Sequence, residues 1–323
     1  MGRSERAERL GFIDLSDNMG TVGMASKGRS NKWDNNVDCR RRCAVEGASN
    51  LRALVTWIAS EFQPADSGTR PTAEGKLVIG RPVWAKQRFF IGIFSGCGRL
   101  TSACHHINVN TLPPWDWNIS LKFDLTVKEN IRTLYRLFES GEVACVWWGL
   151  PCSSWSTARR WDGGPVPLRS VLDAEKPGSW LTPYDVAKVD LGNHLLHVMC
   201  LGIRIAHNAG AVNVVENPRR SRVWETNTMQ TLITHISANI VDLEFCGWGT
   251  IYQKSTKLVS TLPNLVAVQR RCSSWRVCSF TGKPHKALVG KDAGGEWHTR
   301  LAEPYPLDFC ADVANVVAAH LNR

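Results

Sequence analysis

Cys152 is the residue whose type and position most clearly suggest chemistry. It follows Pro151 at the end of the apolar run VWWGL (146–150), which predicts a strand buried on both faces. Such a strand would deliver Cys152 to the carboxyl edge of an α/β sheet, where these sheets bind their ligands. A thiolate is a strong nucleophile near neutral pH, so the position predicts covalent catalysis. The alternative is a structural cysteine followed by a surface loop, because cysteine is commonly buried.

Glu216 is the second candidate for chemistry. The segment AVNVVENP (211–218) also predicts a buried strand, and Glu216 lies near its carboxyl end. A glutamate in that position can serve as a general acid if burial and its neighbours raise its pKa. The alternative is a loop glutamate followed by surface arginines.

A glycine-rich turn and two aspartates are candidates for binding a nucleotide-like ligand. In GIFSGCGRLTSA, Gly96 and Gly98 allow a sharp bend between a buried strand and a helix, whose free N–H groups can receive a carboxylate or phosphate. A tight structural turn is the alternative. Asp116 and Asp124 each follow a strand-like segment, where an acid can accept hydrogen bonds from ribose hydroxyls. Asp116 could equally be a turn aspartate, and Asp124 could cap the next helix.

These candidates need strands that alternate with helices, and the chain from about residue 86 has that pattern. Compact apolar runs predict strands, and amphipathic stretches predict helices. The predicted strands are 88–94, 143–150, 211–218, 240–249 and 256–262, and the predicted helices are 100–106, 127–141, 184–210, 228–236 and 307–321. This alternation predicts an α/β fold in which helices cover both faces of a mostly parallel sheet.

Residues 1–85 have a different composition from the rest of the chain. They are rich in Ser, Asn, Asp, Gly and Arg, which predicts a loosely ordered polar and basic arm. The helical spacing of apolar residues over 48–63 predicts one helix in this arm. Residues 86–323 form the predicted catalytic domain, with a short insert at 263–302.

The overall composition favours an intracellular protein with a polyanionic partner. The 323 residues carry a net charge of +10, which suits nucleic acid but also a basic enzyme with a small-molecule substrate. No run approaches the roughly 18 apolar residues of a membrane span, and the start lacks the apolar core of a signal peptide. The 11 cysteines are therefore interpreted as reduced thiols. The choice between nucleus and cytoplasm stays open, as does the oligomeric state.

The order of these motifs resembles that of the cytosine-5 DNA methyltransferase family, over roughly residues 88–320. FSGCG (94–98) resembles the family's first motif, GLPCSSWS its Pro-Cys motif, and ENP its Glu-Asn-Val motif. The resemblance implies a Rossmann-like methyltransferase fold that binds S-adenosyl-L-methionine. The cofactor-binding residues that it implies are Phe94, Ser95, Gly96, Cys97, Gly98, Asp116, Asp124 and Pro151.

The same resemblance implies methyl transfer to carbon 5 of cytosine in DNA through a covalent adduct. Cys152 would attack ring carbon 6, and Glu216 would donate a proton to ring nitrogen 3, which makes carbon 5 nucleophilic. The base must leave the helix to reach such a pocket. The side chains expected to hold the phosphates are Arg160, Arg169, Arg219, Arg220 and Arg222.

A fourth family motif, Gln-x-Arg-x-Arg, is weakened in this chain. In YQKSTKL (252–258), Ser255 stands where the family has its first arginine, and Lys257 stands where it has its second. Lysine cannot supply the planar bidentate fork of arginine. Lys257 is still the expected catalytic cation beside the exocyclic oxygen of the base, because it occupies the second arginine position. Arg159 or Lys254 could substitute for it.

Two further departures keep other functions open. Pro218 replaces the valine of the glutamate motif, and only about 45 residues separate Lys257 from Glu303, where the family usually has a large target-recognition region. The alternatives are an RNA cytosine-5 methyltransferase and a decayed nucleic-acid-binding module of a mobile-element protein, joined to other domains of a polyprotein. A dehydrogenase is disfavoured because Thr101 stands where its third glycine is needed.

The predicted insert carries residue types that bind zinc. Cys272, Cys278 and His285, with His298 further on, are possible ligands, but their spacings are wider than those of the usual zinc knuckle. A small packed hairpin with buried thiols is the favoured interpretation, and no metal is expected.

Overall fold

The computed structural model describes the following residues: 11–16, 52–57, 88–159, 161–162, 165–291, 294–295 and 297–321. The chain divides into two compact units, Met1–Lys86 and Gln87–Arg323. In the first unit, strands β1 (Gly11–Ser16) and β2 (Arg52–Trp57) pair in parallel. The helix predicted over 48–63 is therefore wrong at β2, because the β-branched and aromatic residues of RALVTW outweigh their helical spacing. The remainder of the predicted arm lies outside the described residues.

Five strands form the sheet of the second unit. They are β3 (Phe89–Ile93), β4 (Val143–Gly149), β5 (Val212–Pro218), β6 (Asn239–Glu244) and β7 (Ser255–Ser260), and their order in the sheet is β3-β4-β5-β7-β6. The first three strands pair in parallel, whereas β7 is antiparallel to both β5 and β6. The sheet is thus mixed, and the parallel pairing predicted from the sequence holds only in part.

The direction of β7 follows from the short connection before it. Only residues 245–254 separate β6 from β7, whereas a parallel crossover needs about a dozen or more. The predicted strand over 240–249 is also too long, because it ends at Glu244 and a 3₁₀ turn, Phe245–Trp248, follows. This turn brings the chain back into the sheet beside β5.

Helices cover the sheet on both faces. They are α1 (Arg99–His106), α2 (Lys128–Glu139), α3 (Pro183–Asn208), α4 (Asn227–His235) and α5 (Leu307–Leu321), each within two residues of a sequence prediction. Residues of α2, α3 and α4 contribute to one buried cluster, and residues of α1 and α5 contribute to the other. Among the described residues, no helix combines the length and the apolar character that crossing a bilayer would require.

Candidate active site

The ends of β3, β4 and β5 and the segment before α5 approach one another at Gly149. Gly149 is the last residue of β4 and lies beside Glu216 in the parallel ladder with β5. A Cβ atom at Gly149 would lie 2.8 Å from the carbonyl oxygen of Phe94 and 3.1 Å from the hydroxyl of Tyr305. Only glycine allows so close an approach, so four separate segments meet at the carboxyl edge of the sheet.

Glu216 is held in this meeting point by Tyr305. The Tyr305 hydroxyl donates to Glu216 Oε2 at 3.0 Å and accepts from the indole N–H of Trp147 at 3.1 Å. Burial and the charge of Glu216 raise the pKa of Tyr305 well above its usual value, so the phenol keeps the proton that it donates. Glu216 is 6% exposed, and its Oε1 has no hydrogen-bond partner among the described residues. One carboxylate oxygen is thus anchored, and the other can serve a ligand.

Cys152 lies three residues beyond the end of β4. The Asn217 side-chain amide donates to the carbonyl of Leu150 at 2.7 Å, which fixes the backbone just before Cys152. The carbonyl of Cys152 accepts from the N–H of Trp155 at 3.0 Å, so a tight turn follows. Cys152 itself is half-buried, and the preceding Pro151 is exposed. The thiol therefore lies at the start of a hydrogen-bonded turn and is partly accessible to solvent.

Opposing charges act on the Cys152 thiol. Burial raises its pKa, the ammonium group of Lys254 lowers it, and the carboxylates of Glu216 and Glu303 raise it again. The Lys254 ammonium donates to the carbonyl of Ala302 at 2.9 Å, which fixes its position. Cys152, Glu216 and Lys254 are therefore close enough to influence one another electrostatically.

Lys257 does not belong to this site, although the sequence predicted that it would act beside Glu216. In the ladder between β5 and β7, Lys257 lies opposite Asn217, and successive side chains of a strand point to opposite faces. Its ammonium lies 5.4 Å from the ring centroid of Trp224, a residue of the other core cluster. The prediction for Lys257 is wrong because a motif match ignores strand alternation, and Lys254 supplies the nearby cation.

The glycine turn after β3 is tied to the segment that follows α1. Phe94, Gly96 and Gly98 have φ of 54°, 55° and 71°, which gives the turn its sharp bend. The N–H of Gly96 donates to Asp116 Oδ2 at 2.8 Å, and Asp116 Oδ1 accepts from the backbone N–H of Asn118 at 2.9 Å. Asp116 is 8% exposed, so its carboxylate spans the two segments from a buried position.

The remaining predicted cofactor residues differ in their surroundings. The Ser95 hydroxyl is buried without a hydrogen-bond partner among the described residues, whereas Cys97 is exposed. Asp124 Oδ1 accepts from the N–H and the hydroxyl of Thr126, both at 2.8 Å. The cap of α2 is Val127, without a side-chain bond, so Asp124 stabilises a turn and is not the cap of that helix.

Arg169 is buried, although the sequence predicted that it would bind phosphate. It is 2% exposed, and its guanidinium donates to the carbonyls of Ser154 at 3.0 Å and Ala174 at 2.7 Å. It also donates to the Asn193 amide oxygen at 2.7 Å and lies 3.0 Å from the ring centroid of Trp155. The prediction for Arg169 is therefore wrong: this side chain holds the loop after Cys152 in place.

The arginines after Glu216 divide into engaged and exposed side chains. Arg222 is 17% exposed and donates to loop carbonyls, among them that of Val171 at 3.1 Å, so its predicted phosphate contact is wrong. Arg219 forms an ion pair of 2.8 Å with the buried Glu244. Arg220 alone of the three is exposed. A solvent-facing phosphate contact is thus open to Arg220.

Arg159, the other predicted catalytic cation, is bound within its own loop. Its guanidinium donates to the carbonyls of Ser153 at 3.1 Å and Val166 at 3.2 Å. These bonds fix the loop and give Arg159 a structural role. Arg160 lies outside the described residues.

Two functional candidates, Tyr305 and Cys246, escaped the sequence analysis as individual residues, and Lys254 was predicted only as a substitute for Lys257. Tyr305 anchors Glu216, Lys254 is the cation that acts on Cys152, and Cys246 joins a cluster with Cys272, Cys278 and His285. A signal for Tyr305 was available in the closing segment EPYPLDFCADVANVV (303–317), which resembles the closing helix that returns to the cofactor site in the cytosine-5 methyltransferases. The cluster does not include His298.

Neither a protein-family model nor a curated protein sequence matches this chain.

Proposed function

We propose that this protein transfers a methyl group from S-adenosyl-L-methionine to carbon 5 of cytosine in DNA. The observation that carries the proposal is the convergence at Gly149. There the buried Glu216, held by Tyr305 at 3.0 Å, acts electrostatically on the Cys152 thiol. A thiol and a carboxyl group at one sheet edge, beside a glycine turn, are the groups that the family resemblance requires. The mixed α/β sheet is compatible with the Rossmann-like methyltransferase fold that the proposal needs.

The residues around the glycine turn fit a cofactor with a charged amino-acid portion and a ribose. The unpartnered Ser95 hydroxyl and the uncapped start of α1 after Gly98 offer hydrogen-bonding groups to a carboxylate. Asp116 would receive the ribose hydroxyls by exchanging its bond to Gly96, and the exposed ring of Trp117 would cover the adenine. S-adenosyl-L-methionine, when bound, supplies an electrophilic methyl group.

The binding set proposed for this cofactor comes from the same sheet edge. It comprises Phe94, Ser95, Gly96, Cys97, Gly98, Asp116, Asp124 and Pro151. Asp124 retains Oδ2 for a polar edge of the adenine, because only its Oδ1 accepts the bonds from Thr126. The cofactor would thus lie across the ends of β3 and β4.

Cys152 acts as the nucleophile in this proposal. Its thiolate forms a bond to ring carbon 6, which displaces the electron pair of the 5,6 double bond and makes carbon 5 nucleophilic. After carbon 5 takes the methyl group, loss of its proton restores the double bond and breaks the carbon–sulfur bond. Because burial raises the pKa of Cys152, the thiolate fraction and the methylation rate should increase with pH.

Glu216 acts as the general acid at ring nitrogen 3. Its anchored Oε2 sets the orientation of the carboxyl group, and its unpartnered Oε1 is the atom that would carry the proton to the base. Lys254, fixed on the carbonyl of Ala302, would stabilise the thiolate and the exocyclic oxygen of the base. Tyr305 positions Glu216 without itself contacting the reacting atoms.

The basic surface beside the site supports a nucleic-acid substrate. A groove is lined by Lys254, Arg276, Lys286 and Trp275, and the Trp275 ring is 71% exposed. The Arg276 guanidinium lies 4.7 Å from the Trp275 ring centroid. Cations beside an exposed ring suit a phosphate backbone with unstacked bases, and the net charge of +10 has the matching sign.

A mechanism-based trap tests the proposal directly. The full chain is incubated with S-adenosyl-L-methionine and duplex DNA containing 5-fluorocytosine, because fluorine at carbon 5 cannot leave as the proton does. A denaturing gel should show a protein–DNA adduct, and mass spectrometry should locate it on Cys152. Cys152→Ser should lose the adduct and keep cofactor affinity by calorimetry, whereas Cys200→Ala, a buried cysteine of α3, should retain both.

Parallel substrates separate the alternatives. Trapping on fluorinated transfer RNA but not on DNA would assign the chain to the RNA methyltransferases. Binding of DNA without any binding of S-adenosyl-L-methionine would favour the decayed nucleic-acid-binding module. An adduct that survives Cys152→Ser would refute the assignment of the nucleophile.

A further inference from the structure

Three cysteines and one histidine from distant parts of the chain come together beside β6. Cys246 lies in the 3₁₀ turn after β6, whereas Cys272, Cys278 and His285 lie in the segment after β7. Their ligand atoms, three Sγ and one imidazole nitrogen, all lie within 4.8 Å of one another. Cys246 and Cys278 are buried, and the other two are half-buried.

The spacing of these atoms is close to that of a tetrahedral metal site. With metal–sulfur bonds of about 2.3 Å and metal–nitrogen bonds of about 2.0 Å, neighbouring ligand atoms in a tetrahedron are about 3.5 to 3.8 Å apart. Cys272 Sγ lies 3.9 Å from His285 Nε2. Closure around an ion would therefore need only a small inward shift of side chains.

The surroundings of the cluster orient its ligands. His285 Nδ1 lies 3.1 Å from the carbonyl of Trp275, which assigns the proton to Nδ1 and leaves the Nε2 lone pair facing the cysteines. The backbone N–H of Ser279 donates to Cys272 Sγ at 3.3 Å, a bond that favours a thiolate. These are the supporting contacts that metal-bound histidine and cysteine need.

The segment that carries the cluster has almost no apolar core of its own. Among the described residues from 269 to 301, only Cys278 is buried. The apolar side chains of Trp275, Val277 and Phe280 are 71%, 48% and 45% exposed. A segment that buries so little needs a cross-link or a metal to hold one conformation.

We propose that Cys246, Cys272, Cys278 and His285 bind one structural zinc ion. Thiolate and imidazole ligands select zinc over magnesium or calcium, and four protein ligands leave no open position for catalysis. Binding would displace the three thiol protons to solvent and join the segment to the turn after β6. The zinc site requires no methyl transfer, so its test does not depend on the proposed activity.

Metal analysis of the full chain tests the site. The protein is purified without chelator from zinc-supplemented medium, and its zinc content is measured by mass spectrometry. We expect one zinc per chain, reduced to below one tenth in Cys272→Ser and in Cys278→Ser. Cys97→Ser removes an exposed cysteine outside the cluster and should keep the full content.

Cobalt substitution keeps the test informative if those variants fold poorly. Cobalt added to the metal-free wild-type chain should give the absorption bands of tetrahedral cobalt with thiolate ligands. His285→Cys should keep four ligands and shift the thiolate charge-transfer band, whereas His285→Ala should weaken cobalt binding at least tenfold. A wild-type chain with four free thiol and imidazole groups and no bound zinc, or with a disulfide between two of these cysteines, would overturn the proposal.

Discussion

Two long irregular segments of the protein, 151–182 and 269–301, are held in different ways. The first is built around a buried guanidinium: Arg169 is 2% exposed, and Trp155 and Leu168 are buried beside it. Among the described residues of the second, only Cys278 is buried. The first segment thus has a small polar core of its own, and the second has a cluster of metal-ligand atoms in its place.

The difference shows how a segment with little regular secondary structure among its described residues can satisfy its backbone. Carbonyl groups that lack a ladder partner need donors, and a buried guanidinium supplies five of them in one plane. Arg169 donates to two such carbonyls, and Arg222 donates to others in the same loop. In the 269–301 segment, Arg270 is half-buried and the other arginines are exposed, so the proposed zinc ion would take the place of a buried guanidinium.

Removing the guanidinium of Arg169 should give the largest effect, a decrease in the free energy of unfolding. Arg169→Met leaves the carbonyls of Ser154 and Ala174 and the amide of Asn193 without their donor, at a cost of about 4 kcal/mol in the free energy of unfolding. Denaturant titration would measure this loss. Arg220→Met, at an exposed site, should leave unfolding unchanged and reduce the salt slope of DNA binding by about one.

The opposite pattern would contradict the structural role of Arg169. If Arg169→Met unfolded like the wild-type chain while its affinity for DNA decreased, the side chain would face the phosphates as the sequence predicted. The loop after Cys152 would then lack its polar core, and the contrast between the two segments would disappear.

Substitution of Gly149 by alanine at the sheet edge should give the next largest effect. In Gly149→Ala the new Cβ would lie 2.8 Å from the Phe94 carbonyl, so the glycine turn must move, and cofactor affinity should decrease more than 100-fold, about 3 kcal/mol. Calorimetry with S-adenosyl-L-methionine measures this change. Gly202→Ala is a matched control, because its Cβ would also lie 2.8 Å from a neighbour, the buried Trp148 ring, within the core.

Gly202→Ala should lower the free energy of unfolding and leave cofactor affinity of the folded protein unchanged. Equal losses of affinity in both variants would mean that general destabilisation, not the geometry at Gly149, governs binding. The close approach at Gly149 would then have no specific role in cofactor binding.

The sequence predicted most of the fold because the Gln87–Arg323 unit has clear local patterns. Apolar runs gave β3, β4 and β5, and amphipathic stretches gave the five helices within two residues. Glu216 lies near the end of β5, and Cys152 follows the end of β4 by three residues, so their common sheet edge could be inferred from parallel pairing. The reversal of β7 was missed, because strand direction depends on the length of a connection and not on its composition.

The residues that sequence reasoning missed or misplaced depend on contacts distant in the chain. In the sequence, Arg169 cannot be distinguished from an arginine that binds phosphate. Only its burial in the structure shows that it holds the loop after Cys152 in place. Lys257 matched a motif, but alternation along β7 places it opposite Asn217 and not opposite Glu216. Cys246 is 26 residues from the nearest cysteine of its cluster, so no spacing rule could have joined them.

Removal of the metal should act on the 269–301 segment alone. Treating the zinc-loaded chain with a chelator should accelerate proteolysis within this segment about tenfold, because its local opening becomes more frequent. Cleavage sites mapped by mass spectrometry should spare the loop around Arg169, and the thermal midpoint of the Gln87–Arg323 unit should change little. Acceleration throughout the chain would show that the segment and the core unfold as one unit.

The smallest expected effect concerns Lys254, which interacts with Cys152 in the 151–182 segment and with Ala302 next to the 269–301 segment. Its ammonium donates to the carbonyl of Ala302, just after the 269–301 segment, and its charge lowers the pKa of Cys152. Lys254→Met removes that charge, so the pKa of the thiol should increase and its alkylation by iodoacetamide at neutral pH should slow severalfold. Lys254→Arg should retain the wild-type profile. Mass spectrometry of the Cys152 peptide measures the rate at each pH, and identical profiles for both variants would mean that Lys254 fixes the backbone without activating the nucleophile.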